Sequence, residues 1–389
     1  MDGEKYGSQD NSCKVSNKPV KIFFSAGDVS GDINTAGIIC ELKRKYPDFS
    51  LCGLGGPAMQ KAGFKSDFEF SKFNKMGYWE VIKNLPFFLT AQKTFIKKMR
   101  DEKPNLLVCV DFSGFNKKLV VEANKLNIPV LWFIAPMIWV WKKEKYLQFF
   151  EKHKAHIACI FPFEPAHWQP RIKTVSFVGN PLAESLDIEA FKNKKSINPQ
   201  EEFTFALIAG SREQEVATML PFMAKSAKVL KETYPKMKIL VSKTSLSQSL
   251  YENACAGLEV EFETEFSKVL KAADFALVTS GTASLQAGLA GIPHIVLYKT
   301  SPLTFFIFKL FIKKKRLIGL SNIVAEKQIV PEFIQDEMTQ DAVVASTREI
   351  LQDFGLQEKI IGELRELRKI LGGKKTAEEM LNLIEKMIL

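Results

Sequence analysis

The chain has 389 residues, 46% of them hydrophobic and 25% charged, with a formal net charge of +10. That length exceeds one ordinary core and predicts two domains. The six cysteines, at 13, 40, 52, 109, 159 and 255, form no C-x-x-C pair, which argues against a structural zinc site or disulfide framework and for reduced thiols in the cytosol.

Residues 1–19 are polar and lack the apolar stretch of a signal peptide, so they read as a disordered leader. Short apolar runs with strand character follow at Ile22–Ser25, Leu51–Gly53, Leu106–Val110, Val130–Ile134, Ile157–Ile160 and Val175–Val178. Amphipathic stretches lie between them, among them Thr35–Lys45, Phe88–Glu102 and Leu119–Leu126. This alternation predicts a parallel, doubly wound sheet over 20–187. The most apolar run, Ile128–Trp141, is 14 residues long and broken by Pro136. A membrane-spanning helix needs about 20.

The polar stretch Ile188–Glu202 reads as a linker. The pattern restarts at Phe203–Ile208, Lys238–Val241, Leu258–Phe262, Phe275–Val278 and Ile295–Tyr298, predicting a second α/β domain over 203–340. Charged helices over 341–389 are expected to pack back on the first domain. In open α/β sheets ligands sit beyond the carboxyl ends of the strands, so the loops there are the places to search.

The first such loop is "GDVSGD", Gly27 to Asp32. It sits where a phosphate loop would carry glycines, yet Asp28 and Asp32 would repel a pyrophosphate. Asp32 is equally readable as the N-cap of Thr35–Lys45. The next is "DFSGFN", Asp111 to Asn116. A carboxylate past a strand end, desolvated by Phe112 and Phe115, suits a general base; the alternative is a cap for the next helix.

In the second half, "AGSREQE" (Ala209 to Glu215) offers Gly210, the Ser211 hydroxyl, the Arg212 fork and Glu213 at a helix start, an arrangement suited to phosphate. An ordinary turn with a surface arginine is the other reading. "TSGTASLQAG" (Thr279 to Gly288) adds Ser280, Gly281, Thr282, Ala283 and Ser284, with Gln286 one turn on to reach a ribose or base; the bland reading is a Gly-Thr helix cap. Neither loop fits G-x-G-x-x-G or G-x-x-x-x-G-K-[ST], which disfavours a dinucleotide or a P-loop triphosphatase. His153 and His156 read as ordinary surface residues, with no carboxylate cluster at metal-ligand spacing, so no metal site is expected.

Eight motifs in order, "GDVSGD", "GLGGPAMQKAG" (53–63), "MGYWEV" (76–81), "PMIWVW", "FPFE" (161–164), "AGSRE", "TSGTASLQ" and "LSNIVA" (320–325), resemble the lipid-A-disaccharide synthase family from about residue 20 to the C-terminus. The resemblance implies a GT-B fold, two Rossmann-like domains facing a cleft. It implies inverting, metal-independent transfer of 2,3-diacylglucosamine from its UDP carrier to 2,3-diacylglucosamine 1-phosphate. The product would be the β-1,6 lipid A disaccharide 1-phosphate, with UDP released and no cofactor. It implies Asp111 as base, with Asp28, Ser30 and Asp32 on the sugar side. It also implies Asn322 as a UDP-sugar contact, and Glu80, Asn116, Trp139 and Asn180 as further cleft candidates.

Three single residues and one pair depart from the family pattern: Asp28 for glutamate, Asn180 for histidine, Gln286 for glutamate, and Ser113-Gly114 for Pro-Asp. They leave open a paralogue that binds a UDP-sugar with altered specificity or little catalysis. A GT-B epimerase and a basic nucleic-acid-binding protein are further alternatives, the latter without a nucleic-acid motif. Two segments interleave aromatics with cations, 84–100 and 302–316. The second carries Phe305, Phe306 and Phe308 before Lys313, Lys314, Lys315 and Arg316. Such stripes suit an anionic lipid surface, which the resemblance implies is the cytoplasmic face of a Gram-negative inner membrane, or else core or a homo-oligomer seam with a solvated rim.

Overall fold

A computed structural model describes residues 19–74, 85–139, 143–186, 191, 194–299 and 317–389. Two parallel sheets organise the chain, in keeping with the α/β, GT-B expectation. The first contains seven strands: β1 (Lys21–Ala26), β2 (Ser50–Leu54), β3 (Lys65–Ser66), β4 (Leu106–Val110), β5 (Val130–Phe133), β6 (His156–Cys159) and β7 (Val175–Phe177), in the order β3-β2-β1-β4-β5-β6-β7. The second contains β8 (Phe203–Ile208), β9 (Met237–Ser242), β10 (Glu261–Glu263), β11 (Phe275–Thr279), β12 (His294–Tyr298) and β13 (Glu332–Ile334), in the order β10-β9-β8-β11-β12-β13. By packing, the chain divides into Met1–Leu131 with Ile384–Leu389, and Trp132–Leu383.

Central strands are buried end to end, as parallel strands covered on both faces must be: every residue of β4 and β11 is inside. Register pairs Phe24 with Val108 across β1 and β4, and Leu207 with Leu277 across β8 and β11. Each sheet therefore reverses its strand order once, between β1 and β4 and between β8 and β11. Such switch points open a crevice at the carboxyl ends of the two strands.

Helices depart from the sequence expectation mainly at their starts. The first runs Val29–Lys45, six residues earlier than Thr35, because Asp28 is its N-cap and accepts from the Gly31 amide at 2.6 Å. Lys43, Arg44 and Lys45 close its last turn, opposite in sign to the carbonyl end of the dipole. The helix after β4 begins at Ser113 rather than Leu119. The strand read at Leu258–Phe262 is instead Glu261–Glu263.

The helix Leu85–Glu102 corrects the membrane reading of 84–100. Its aromatic stripe faces inward, with Phe88, Phe95 and Met99 buried, and Leu89 is the large apolar side chain left exposed among its described residues. At the C-terminus, the helix Thr376–Ile388 brings Glu385 to Lys45 at 2.6 Å and to the Tyr46 hydroxyl at 3.0 Å, within the first unit.

Candidate active site

The first switch point carries Asp28 just past β1 and Asp111 just past β4. Asp111 and Phe112 both hold left-handed backbones, with φ of 39° and 44°. For residues with a Cβ this is strained and needs support from the surroundings. The Phe112 ring supplies some of it by lying against Gly27, where an added Cβ would meet ring carbons at 2.4 Å. That contact gives Gly27 its reason in the motif. Asp111 does not cap the following helix, whose N-cap is Phe112 with no side-chain bond.

Asp111 is exposed as a residue, yet the protein close to it still desolvates its carboxyl. Desolvation first, and the neighbouring Asp28 charge second, push it up to about 6, against a backbone N–H bond from Phe112 that pulls down. A carboxyl poised there suits proton abstraction near neutral pH.

Asp32 has a different task from the one expected. Its buried carboxylate accepts from the amides of Gly56, Ala58 and Met59, each at 2.9 Å, and so caps the helix Pro57–Lys61 instead of its own. Ser30 is exposed, its hydroxyl accepting from Asn34 at 3.4 Å.

At the second switch point the helix Glu213–Thr233 begins just beyond Gly210, whose φ is 100°. Glu215 reaches back to the Ser211 and Arg212 amides at 3.3 and 3.4 Å and to the Arg212 guanidinium at 2.9 Å. Ser211, Arg212 and Glu213 are exposed. After β11, Gly281 has φ 143° with open space beside it, and the helix Thr282–Leu289 starts without a side-chain cap. Ser280 donates to the Ile318 carbonyl at 2.8 Å. Ser284 donates to the Gly281 carbonyl at 2.8 Å and accepts from the Leu320 amide at 3.1 Å. Thr282 is exposed, and Ala283 and Gln286 are half-buried. Helix-start amides and a guanidinium at one switch point can bind a diphosphate.

Residues 22–384 match the family model described as lipid-A-disaccharide synthetase. The chain belongs to the lipid-A-disaccharide synthase family. It is 32% identical to the lipid-A-disaccharide synthase of Sulfurihydrogenibium sp. (strain YO3AOP1), over 95% of this chain and 98% of that one. It is 30% identical to that of Coxiella burnetii (strain CbuG_Q212), over 96% and 100%. Among solved structures it shares its fold with the glycosyltransferase of kitacinnamycin (TM-score 0.60, 15% identity, 96% and 100% covered). It shares it also with the UDP-GlcNAc 2-epimerase of Neisseria meningitidis bound to UDP-GlcNAc (TM-score 0.57, 13% identity, 95% and 100% covered). The fold is GT-B and the activity class is glycosyl transfer. The paralogue reading is not favoured by a match to the synthase family across nearly the whole chain.

Several further candidates in this synthase-family chain are committed to the fold. Asn322 is buried: its amide donates to the Val330 carbonyl and to Glu332, and its oxygen accepts from the Ile329 and Val330 amides. Asn180 caps the helix Pro181–Ser185 through the Leu182 and Ala183 amides and donates to the Ile160 carbonyl at 3.1 Å. Trp139 is half-buried, edge-on to Phe163 at 5.1 Å and near His167 at 6.2 Å. His153 and His156 are half-buried, with His156 bonded to Ser176 at 3.0 Å. Among the described residues no group of three or more His, Cys, Asp or Glu side chains is placed to hold a metal. Glu80, and the segment carrying Phe305, Phe306, Phe308, Lys313, Lys314, Lys315 and Arg316, lie outside the described residues.

Glu164, the last residue of "FPFE", is a second carboxyl with an unusual environment. It is buried and accepts from the Ile160 and Phe161 amides at 2.9 Å each. Burial pushes it up to about 8 despite those two bonds. The folded protein then holds a proton that the unfolded chain releases at the ordinary carboxylate value. Its contribution is present below that value and is lost as pH rises toward about 8. Glu164→Gln, neutral throughout, is expected to lose several degrees less in Tm than the wild type between about pH 5 and about pH 8. Parallel Tm curves would refute this.

Proposed function

We propose that the chain transfers 2,3-diacylglucosamine from UDP-2,3-diacylglucosamine to 2,3-diacylglucosamine 1-phosphate. The family match over residues 22–384 carries this reading, and the two switch-point constellations support it. The acceptor's primary hydroxyl attacks the anomeric carbon of the donor. Its proton passes to Asp111, the new O–C bond forms, and the bond to UDP breaks with its electron pair on the nucleotide. Attack opposite the leaving group inverts the anomeric centre to β. Arg212, the Glu213 amide and the helix-start amides at Thr282–Ala283 hold the diphosphate and stabilise the charge it gains. Ser280 and Ser284 brace that loop. Gln286 is assigned to the ribose or base. Asp28 keeps a negative charge near the anomeric carbon.

This reading assigns the diphosphate charge to protein groups and needs no metal. UDP release should require both acylated sugars and persist with a chelator present. Release without acceptor, or abolition by the chelator, would overturn it.

The domain assignment proposed is an acceptor domain over 20–187 and a UDP-sugar domain over 203–340. Among the described residues no helix is long and apolar enough to cross a membrane. The acylated substrates call for peripheral contact at an anionic surface, and the Lys313–Arg316 run suits it. Replacing Lys313, Lys314 and Lys315 with Gln is expected to weaken binding to anionic vesicles roughly a hundredfold, at about 1 kcal/mol per cation. Unchanged binding would remove this segment from the account.

A further inference from the structure

We propose that Asn116 is a positioning residue: its buried amide holds the strained Asp111–Phe112 backbone so that the Asp111 carboxyl is presented at the β1–β4 switch point. The proposal rests on Asp111 being the base. Asn116 is fully buried. Its Nδ2 donates to the carbonyls of Asp111 at 2.9 Å, Ser25 at 3.2 Å and Val110 at 3.3 Å. Its Oδ1 accepts from the Ser25 hydroxyl at 2.6 Å. One side chain therefore ties the end of β1, the end of β4 and the first strained residue to a single point.

The roles within this cluster are fixed by chemistry. Three carbonyls converge on one end of the amide, and carbonyls only accept, so that end is the NH2 group. The other end is then the oxygen, matched by a hydroxyl that donates. A flipped amide would set an oxygen against three oxygens in a buried site, which is costly. Left-handed backbone is strained for any residue with a Cβ, and two such residues run in succession here. They persist where surroundings over-determine them. The Phe112 ring on Gly27 holds one side of the pair, and Asn116 holds the carbonyl of the other. With that carbonyl tied down, the Asp111 side chain stays beside Asp28, whose charge bears on it.

The test compares wild type, Asn116→Ala and Ser25→Ala by steady-state kinetics and by NMR titration of the Asp111 carboxyl. Asn116→Ala should lower kcat by about 10–100-fold, as expected for misplaced catalytic geometry, with KM for both sugars held within about twofold. The freed carboxyl reaches more water, so its midpoint, and the acid limb of the rate profile, should move down from about 6 toward the ordinary carboxylate range. Ser25→Ala should move both in the same direction by a smaller step, and it decides alone if Asn116→Ala does not fold. A folded variant that loses rate while Asp111 titrates as in the wild type would overturn the proposal, as would an unchanged rate. Asp111→Asn separates the two readings. If that variant stays active, the base assignment fails. If it is inactive while the titration is unmoved in the Asn116 and Ser25 variants, only the positioning role fails.

Discussion

Asp111→Asn is expected to lower the transfer rate by about 10²–10⁴-fold, the usual share of a general base, while UDP binds as in the wild type. Asparagine keeps the shape and one acceptor oxygen but cannot take a proton. The backbone that strains the site, left-handed at Asp111 and Phe112, is unaffected by the exchange. A loss of rate would therefore report on proton transfer, not on a collapsed loop. The pH profile supplies the sign. A base works only when deprotonated, so wild-type kcat/KM should fall as pH drops through about 6. The residual rate of the variant should lack that limb. Equal activity in Asp111→Asn would remove the residue from the mechanism.

Arg212→Ala is expected to weaken UDP binding by about 10–100-fold, the equivalent of one charge-assisted hydrogen bond at roughly 1.5–3 kcal/mol. The side chain is 83% exposed and bonded only to Glu215 among its recorded partners, so its removal should leave stability nearly unchanged. Arg212→Lys should recover part of the affinity, because an ammonium keeps the charge without the planar fork. Titration calorimetry with UDP measures all three proteins. Affinity equal to the wild type in Arg212→Ala would move the diphosphate away from this loop.

The parallel sheets were legible because their strands are continuous apolar runs separated by amphipathic stretches, and that pattern has few alternatives. The loops after β4, β8 and β11 were legible for the same reason: a strand end marks its own loop. What each carboxylate does within a loop was not. Asp28 and Asp32 stand four apart in one motif, yet one caps its own helix and the other caps a helix that begins 25 residues later. Capping across such a separation leaves no local trace. Asn322 looked like a ligand contact by resemblance, but its four bonds all close within residues 322–332. Glu215 had a readable signal, a glutamate three residues past the Arg212 N-cap, which is capping-box spacing. Glu164 and Ser25 had none, because burial of a polar side chain is decided by packing from distant segments. The stripe in Leu85–Glu102 shows the converse: aromatics at helical spacing fit a core face as well as a membrane face, and only the packed neighbours of Phe88 and Phe95 decide between them.

The central claim is glycosyl transfer between two acylated glucosamines, and product analysis tests it most directly. The protein is incubated with UDP-2,3-diacylglucosamine and 2,3-diacylglucosamine 1-phosphate, and the lipid product is isolated for mass and NMR linkage analysis. The account predicts a β-1,6-linked tetraacyl disaccharide 1-phosphate, formed in equal amount to released UDP. Recovery of both acyl sugars unchanged, an epimerised donor, or an α-linked product would contradict it.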